Sequence, residues 1–594
     1  MVTRQRSFPV AALVLGVVFL AATAPAQVRI NALPWTIDAP GSYVVVDDLV
    51  GDAGITIAAS RVTLDLNGYT LRAAAGAAGD GIYVEGARTG LQVRNGVVSG
   101  WPERGIMADS ATASLFTDLR LGANGLCGLR AGESAVIENV VARHNRGTGI
   151  GGFGSTVVTD SVSAGNLGFG VEVGTGGVVS GLSITGNGAG GIFTGDAGRI
   201  TDNVLVSNGW LLEDDRPEGF SGPSACFAAT GYGISVVGTG TLVQDNVLED
   251  NVYGLQLLMG GNTIAGNLVR GSAPNYSFEP GNNLSLVVAE LPEVIEWPAY
   301  VTLAGTLMGV SGQPGVVLAS DDITFDLGGH CLAGVPGSLD GIAVDGEHVN
   351  ILIRNGISRF WDGNGVDAET ATNSQIESMR LFHNGLSGLR LGAGGMILDT
   401  TIFENELNGV WADEDTYISD CTINDNGNRG IIVGPHSLIT DTVTSENLSY
   451  GIEAGAGGTI DGCTVSRNLL GIETEEGASV RNCTVSCNIE VGIRVGRNTV
   501  VRGNTVVGDP TLELDIGIQT LDGPGVRIEG NTVSDTAVGL SILGMGNFAS
   551  QNLLTANSTP YVIARGNAYG EFVDLSGGGA IADGNPWCNF VMTP

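Results

Sequence analysis

Along most of this chain a glycine followed by an aliphatic residue opens a short alternation of apolar and varied positions. Examples are Gly81-Ile82-Tyr83-Val84, Gly388-Leu389-Arg390-Leu391 and Gly430-Ile431-Ile432-Val433. Alternation with period two marks a strand with one buried face. The glycines fall at Gly81, Gly105, Gly128, Gly149, Gly170 and Gly191, then again at Gly341, Gly365, Gly388, Gly409, Gly430 and Gly451. Both series are spaced 24, 23, 21, 21 and 21 residues apart, so the whole series recurs 260 residues later. A unit this short cannot bury its apolar side alone, whereas a column of stacked units makes a continuous core.

Each unit continues through β-branched segments such as Val136-Ile137, Thr156-Val157-Val158 and Thr484-Val485, punctuated by Gly, Asn and Asp. This predicts three short strands and three bends per coil. One bend carries Asn124, Asn145, Asn166, Asn187 and Asn208, and in the second half Asn384, Asn405, Asn426, Asn447, Asn468 and Asn488. Another carries Asn139, Asp160, Gly181 and Asp202, then Asp399, Asp420, Asp441, Gly462 and Asn482. Stacked amides satisfy the polar groups a tight corner exposes, and both columns read as structural.

Composition narrows the class. Residues 1–26 hold Arg4 and Arg6, an apolar run from Val10 to Ala22 and Ala24-Pro25-Ala26, the order of a secretory leader. The run is too short to span a bilayer, and no later stretch has membrane length, so an exported protein without a membrane span is expected. Without that leader, 25 arginines face 62 acids, a net charge of −37. Such a surface repels nucleic acid and anionic lipid. Lysine is absent, which excludes chemistry that needs a lysine base or Schiff base. The sequence assigns no disulfide to Cys127, Cys226, Cys331 or Cys588, and Cys463 and Cys483, at one place in adjacent coils, read as buried thiols rather than a bridge.

The segments Val62-Thr63-Leu64-Asp65-Leu66-Asn67-Gly68 and Ile323-Thr324-Phe325-Asp326-Leu327-Gly328-Gly329 are followed by Arg94-Asn95-Gly96 and Arg354-Asn355-Gly356. These resemble the opening coils of right-handed parallel β-helix repeat proteins of the pectin-lyase-like superfamily. The resemblance covers nearly all of the chain after the leader. It implies an all-β solenoid, here two tandem β-helices from an internal duplication, and says little about activity, because that fold hosts lyases, hydrolases, epimerases and adhesins. Leu33-Pro34 to Tyr43-Val44 resembles Leu291-Pro292 to Tyr300-Val301, and Asn267 to Asn282 resembles Asn552 to Asn567. Each half thus has a beginning and an end. The expected organisation is a leader at 1–26, a first β-helix at 27–285 and a second at 286–594.

In related polysaccharide-acting β-helices the outer face of one sheet forms the groove, which directs attention to the residue two after each glycine. The first half offers Tyr83, Met107, Arg130, Gly151, Glu172, Phe193, Ser235 and Gln256. The second offers Ala343, Asp367, Arg390, Trp411, Ile432, Glu453, Glu473, Arg494, Gln519 and Ser541. Glu453 and Glu473, one coil apart, would sit about 5 Å from each other, the carboxylate spacing of a retaining glycosidase. With Arg494 they form the candidate catalytic group; Trp411, Asp367 and Arg390 form the candidate substrate-binding group. A plain charged column relieved by Arg494 is the alternative reading.

The repeat is interrupted after Trp210 by a segment whose Glu213, Asp214 and Asp215 would be the metal candidates, with Ca²⁺ as the cation. A solvated loop is the plainer account, and no cofactor is certain from sequence. The five histidines, His144, His330, His348, His383 and His436, lack metal-ligand spacing. The polygalacturonase, pectate lyase and mannuronan epimerase motifs are absent. Two functions remain: an acidic exported repeat protein that binds glycan or another cell-surface component, or a polysaccharide lyase or glycoside hydrolase centred on Glu453, Glu473 and Arg494. An acidic chain meeting a polyuronate would need bridging Ca²⁺. The oligomeric state is not readable from the sequence.

Overall fold

The computed structural model describes residues 27–210, 231–509, 511, 515–578 and 584–593. The leader and the trio Glu213, Asp214 and Asp215 lie outside these residues. Short parallel strands, wound into a right-handed solenoid, form all of the regular structure described. Two compact units are distinguished, Met1–Val162 and Ser163–Pro594.

In the first unit one wall is built from Trp35–Ile37, Ile55–Ile57, Ile82–Val84, Ile106–Ala108, Leu129–Ala131 and Ile150–Gly152, paired in that order. The expected second and third strands merge here into single eight-residue strands, Gln92–Ser99, Leu115–Gly122 and Val136–Arg143. Each still turns a corner, at Asn95, Asp118 and Asn139, whose φ values of 60°, 57° and 52° lie in the left-handed region. Asn and Asp are the side-chain-bearing residues that enter this region most readily.

The second unit contains a 13-stranded parallel sheet running from Glu293–Ile295 to Thr559–Ile563. Its inner face is an aliphatic column: Ile431 pairs with Ile452, Ile452 with Ile472, and Ile472 with Ile493. All four are fully buried. Each such side chain contributes on the order of 1.5–3 kcal/mol, so the stack of coils is the source of stability rather than any one coil.

The asparagine column is a continuous hydrogen-bonded ladder. Asn384, Asn405, Asn426 and Asn447 each donate Nδ2–H to the Oδ1 of the next asparagine, at 2.9, 3.0, 2.9 and 3.0 Å. The backbone N–H of each donates to the same oxygen. The neighbouring bend holds Asp399, Asp420, Asp441 and Asn482 at φ values of 47°, 57°, 49° and 55°. Buried Cys421, Cys463 and Cys483 follow these bends and are unbridged. A hydrogen bond with Cys483, together with burial, pushes the Cys463 thiol up.

At the seam between the duplicated halves the two walls behave differently. Strand Asn283–Val288 pairs with Thr263–Arg270 on one side and Tyr300–Leu303 on the other, so this wall is continuous. On the facing wall one sheet ends at Tyr276–Phe278 and the next begins at Glu293–Ile295.

Candidate functional site

The position two after each glycine forms an unbroken register column on the 13-stranded sheet. Asp367 pairs with Arg390, Arg390 with Trp411, Trp411 with Ile432 and Ile432 with Glu453. Glu453 then pairs with Glu473, and Glu473 with Arg494. All seven are half-buried. Six coil steps separate Asp367 from Arg494, about 29 Å at the usual inter-strand spacing.

At one end, Arg390 lies over the Trp411 ring, 5.1 Å from its centre, and reaches Asp367 Oδ2 at 3.3 Å and Glu369. Asn364 Nδ2 donates to Asp367 Oδ2 and to Asp340 Oδ1, both at 3.0 Å. Burial pushes the Asp340 carboxyl up, opposed by the backbone hydrogen bond from Asn364 and reinforced by the charge of Asp367. Arg390 is thus fixed over the indole by two carboxylates, and its stem and plane extend the apolar platform.

At the other end each glutamate has a guanidinium of its own. Arg494 Nε donates to Glu473 Oε2 at 2.9 Å, and its Nη2 donates to the same oxygen and, at 3.3 Å, to Tyr450 Oη. Arg429 Nε donates to Glu453 Oε2, and its guanidinium lies 5.3 Å from the centre of the Tyr450 ring. Burial, then the charge of Glu473, pushes the Tyr450 phenol up. The two glutamates therefore stand in adjacent register, and each carboxylate is paired with an arginine, Arg429 or Arg494. The arrangement presents guanidinium donors and aromatic faces on the outer side of the sheet, while one oxygen of each carboxylate, Glu453 Oε2 and Glu473 Oε2, is engaged by an arginine.

Sequence reasoning did not single out Asp340, Asn364, Arg429 or Tyr450. Each stands immediately before a glycine of the repeat, so a second column read one place earlier would have found them. On the corresponding wall of the first half, Phe193, Ser235 and Gln256 are buried rather than exposed. Phe193 packs against Phe169, Ala189 and Val237, and Ser235 Oγ donates to Gln256 Oε1 at 2.9 Å. Among the described residues no three His, Cys, Asp or Glu side chains converge as a metal site would. No described helix is long and apolar enough to cross a membrane.

A family model described as right-handed β-helix region matches residues 80–269 and 433–585, more than half of the chain. No curated protein matches in sequence. Among solved structures, the A-module of mannuronan C-5 epimerase AlgE6 from Azotobacter vinelandii is similar at 18% identity and a TM-score of 0.40, over 47% of this chain and 89% of that one. The Dettilon tailspike protein is similar at 14% identity and a TM-score of 0.29, over 60% and 62%. The periplasmic alginate epimerase AlgG is similar at 12% identity and a TM-score of 0.21, over 74% and 78%. These likenesses concern the fold alone.

Proposed function

Because the chain belongs to the right-handed β-helix family, we propose that it is an exported protein that binds a polysaccharide along the outer face of its 13-stranded sheet without cleaving it. The observation that carries this reading is Trp411, half-buried and covered on one face by Arg390, in a register column that also holds Asp367, Glu453, Glu473 and Arg494. Aromatic faces flanked by hydrogen-bonding groups suit sugar rings, which present an apolar face and a polar rim. Export is supported by the leader pattern at residues 1–26.

Cleavage is the second reading, favoured by the adjacent registers of Glu453 and Glu473. The guanidinium contacts on both carboxylates weigh against it. Migration of the purified protein through gels containing neutral or uronate polysaccharides, with calcium and with chelator, separates the two. Binding predicts retardation by at least one polysaccharide, lowered roughly tenfold in affinity by Trp411→Ala, with no new reducing or unsaturated ends. Product formation that disappears in Glu473→Gln would establish the enzyme instead. Retardation by none of the glycans would remove both readings.

A further inference from the structure

Where the sheet is interrupted at the seam, a cleft of about 420 Å³ opens, lined in part by Ser272, Asn275, Tyr276, Glu290, Glu293 and Trp297. Its size is that of a small-ligand pocket. Glu293 is the unusual member. It occupies the inward column of the sheet, paired with Val316, which pairs with Ile342 and that in turn with Val366. A carboxyl thus stands where the following coils from Val316 to Leu540 place an aliphatic side chain, and it is 8% exposed.

The duplication supplies an internal comparison. Leu33-Pro34-Trp35-Thr36-Ile37 corresponds to Leu291-Pro292-Glu293-Val294-Ile295, and Trp35 heads the first column as Glu293 heads the second. The fold accepts a tryptophan at this place, so stacking alone does not call for a carboxyl.

The groups around Glu293 are arranged for a polar guest. Asn275 Nδ2 donates to Glu293 Oε2 at 2.9 Å and to Glu290 Oε1 at 3.3 Å, so one amide bridges two carboxyls. Gly271 N–H also donates to Glu290 Oε1, at 2.6 Å. Ser272 Oγ is shielded from solvent yet has no hydrogen-bond partner, a state that buried hydroxyls rarely keep without a ligand or water. Trp297 is held in place by Nε1–H donating to Phe278 O at 2.8 Å, across the interruption of the sheet, which fixes the orientation of its ring.

The charge of the cleft selects among ligands. Glu290, Glu293 and Glu296 line it and no arginine does, so uronates and sulfates are repelled. No three metal-ligating side chains converge there or elsewhere among the described residues. We infer that the seam cleft is a separate binding site for an uncharged sugar ring, stacked on Trp297 and hydrogen-bonded by Glu293, Glu290 and Asn275. None of these residues belongs to the Trp411 column, so the two sites can fail independently.

A guest that displaces water from Glu293 favours its neutral form, so affinity should fall as pH rises through the Glu293 midpoint, which burial places at about 7. The groups facing Glu293 are Asn275, Tyr276 and Glu290. The test is calorimetric titration of the full chain with neutral gluco-, manno- and galacto-oligosaccharides and with galacturonate oligomers, at about pH 5 and about pH 8. The expected result is binding of a neutral oligosaccharide that weakens about tenfold at the higher pH, is lost in Trp297→Ala and persists in Trp411→Ala. Glu293→Gln, a neutral isostere, should bind with no pH dependence, and it decides the matter if Trp297→Ala does not fold. Failure of every neutral oligosaccharide to bind, or a pH dependence that survives in Glu293→Gln, would overturn the assignment.

Discussion

Glu293 shows how a single side chain couples fold and solution conditions. Burial first, and the charge of Glu290 after it, lift its carboxyl from an ordinary 4.5 to about 7, against the opposing hydrogen bond from Asn275. The folded chain therefore holds this proton more tightly than the unfolded chain does. Its contribution to stability is greatest below about pH 4.5, declines as pH rises towards 7 and is flat beyond, a total of roughly 3 kcal/mol. Glu293→Gln should remove that slope, so denaturation midpoints of the two proteins should diverge between these limits. Midpoints that change in parallel would show the carboxyl to be better solvated than its position implies. The adjacency of Glu453 and Glu473 was legible in the sequence because both obey the repeat. Glu293 was not, because the seam has no period to read.

At the scale of the coil, the corner asparagines hold neighbouring turns in register. Asn426 accepts from the side chain and backbone of Asn405 and donates to Asn447. Asn426→Ala would leave the Asn405 backbone N–H buried without its acceptor, while Asn405 Nδ2 keeps Leu381 O and Phe403 O, at a cost of about 2 kcal/mol, to be measured by urea denaturation. A loss below about 1 kcal/mol would mean that the ladder follows from stacking and does not reinforce it. This column was readable because its members recur every 20 or 21 residues. A second ladder, Asn203 to Asn246 to Asn267, escaped notice because its first step spans 43 residues, across the interruption after Trp210. A third, Asn504 to Asn531 to Asn552, is similarly hidden by a step of 27. The merged eight-residue strands were missed for a different reason. Left-handed Asn and Asp bend a strand without ending it, and turn residues in sequence do not distinguish the two outcomes.

For the molecule as a whole, a net charge of −35 and a repeated architecture set what can be recognised. On an acidic chain, local pairs such as Arg390 with Trp411 and Arg494 with Glu473 present cationic and aromatic groups on one sheet. The β-helix itself was legible from glycine spacing, since a period near 21 residues has few physical solutions. The candidate site was legible only as far as the column of positions two after each glycine. Glu453 is paired by Arg429, from the place before a glycine, and Glu473 by Arg494, from the same column, and these pairings move the reading from cleavage towards binding.

Hydroxyl-radical footprinting with and without a retained polysaccharide tests the outer-face reading most directly, because it reports side-chain access without substituting any residue. Trp587, 54% exposed and away from the column, serves as the reference. Oxidation of Trp411 is predicted to fall several-fold on binding, while that of Trp587 stays constant. Unchanged oxidation of Trp411 while the polysaccharide is bound would contradict the account.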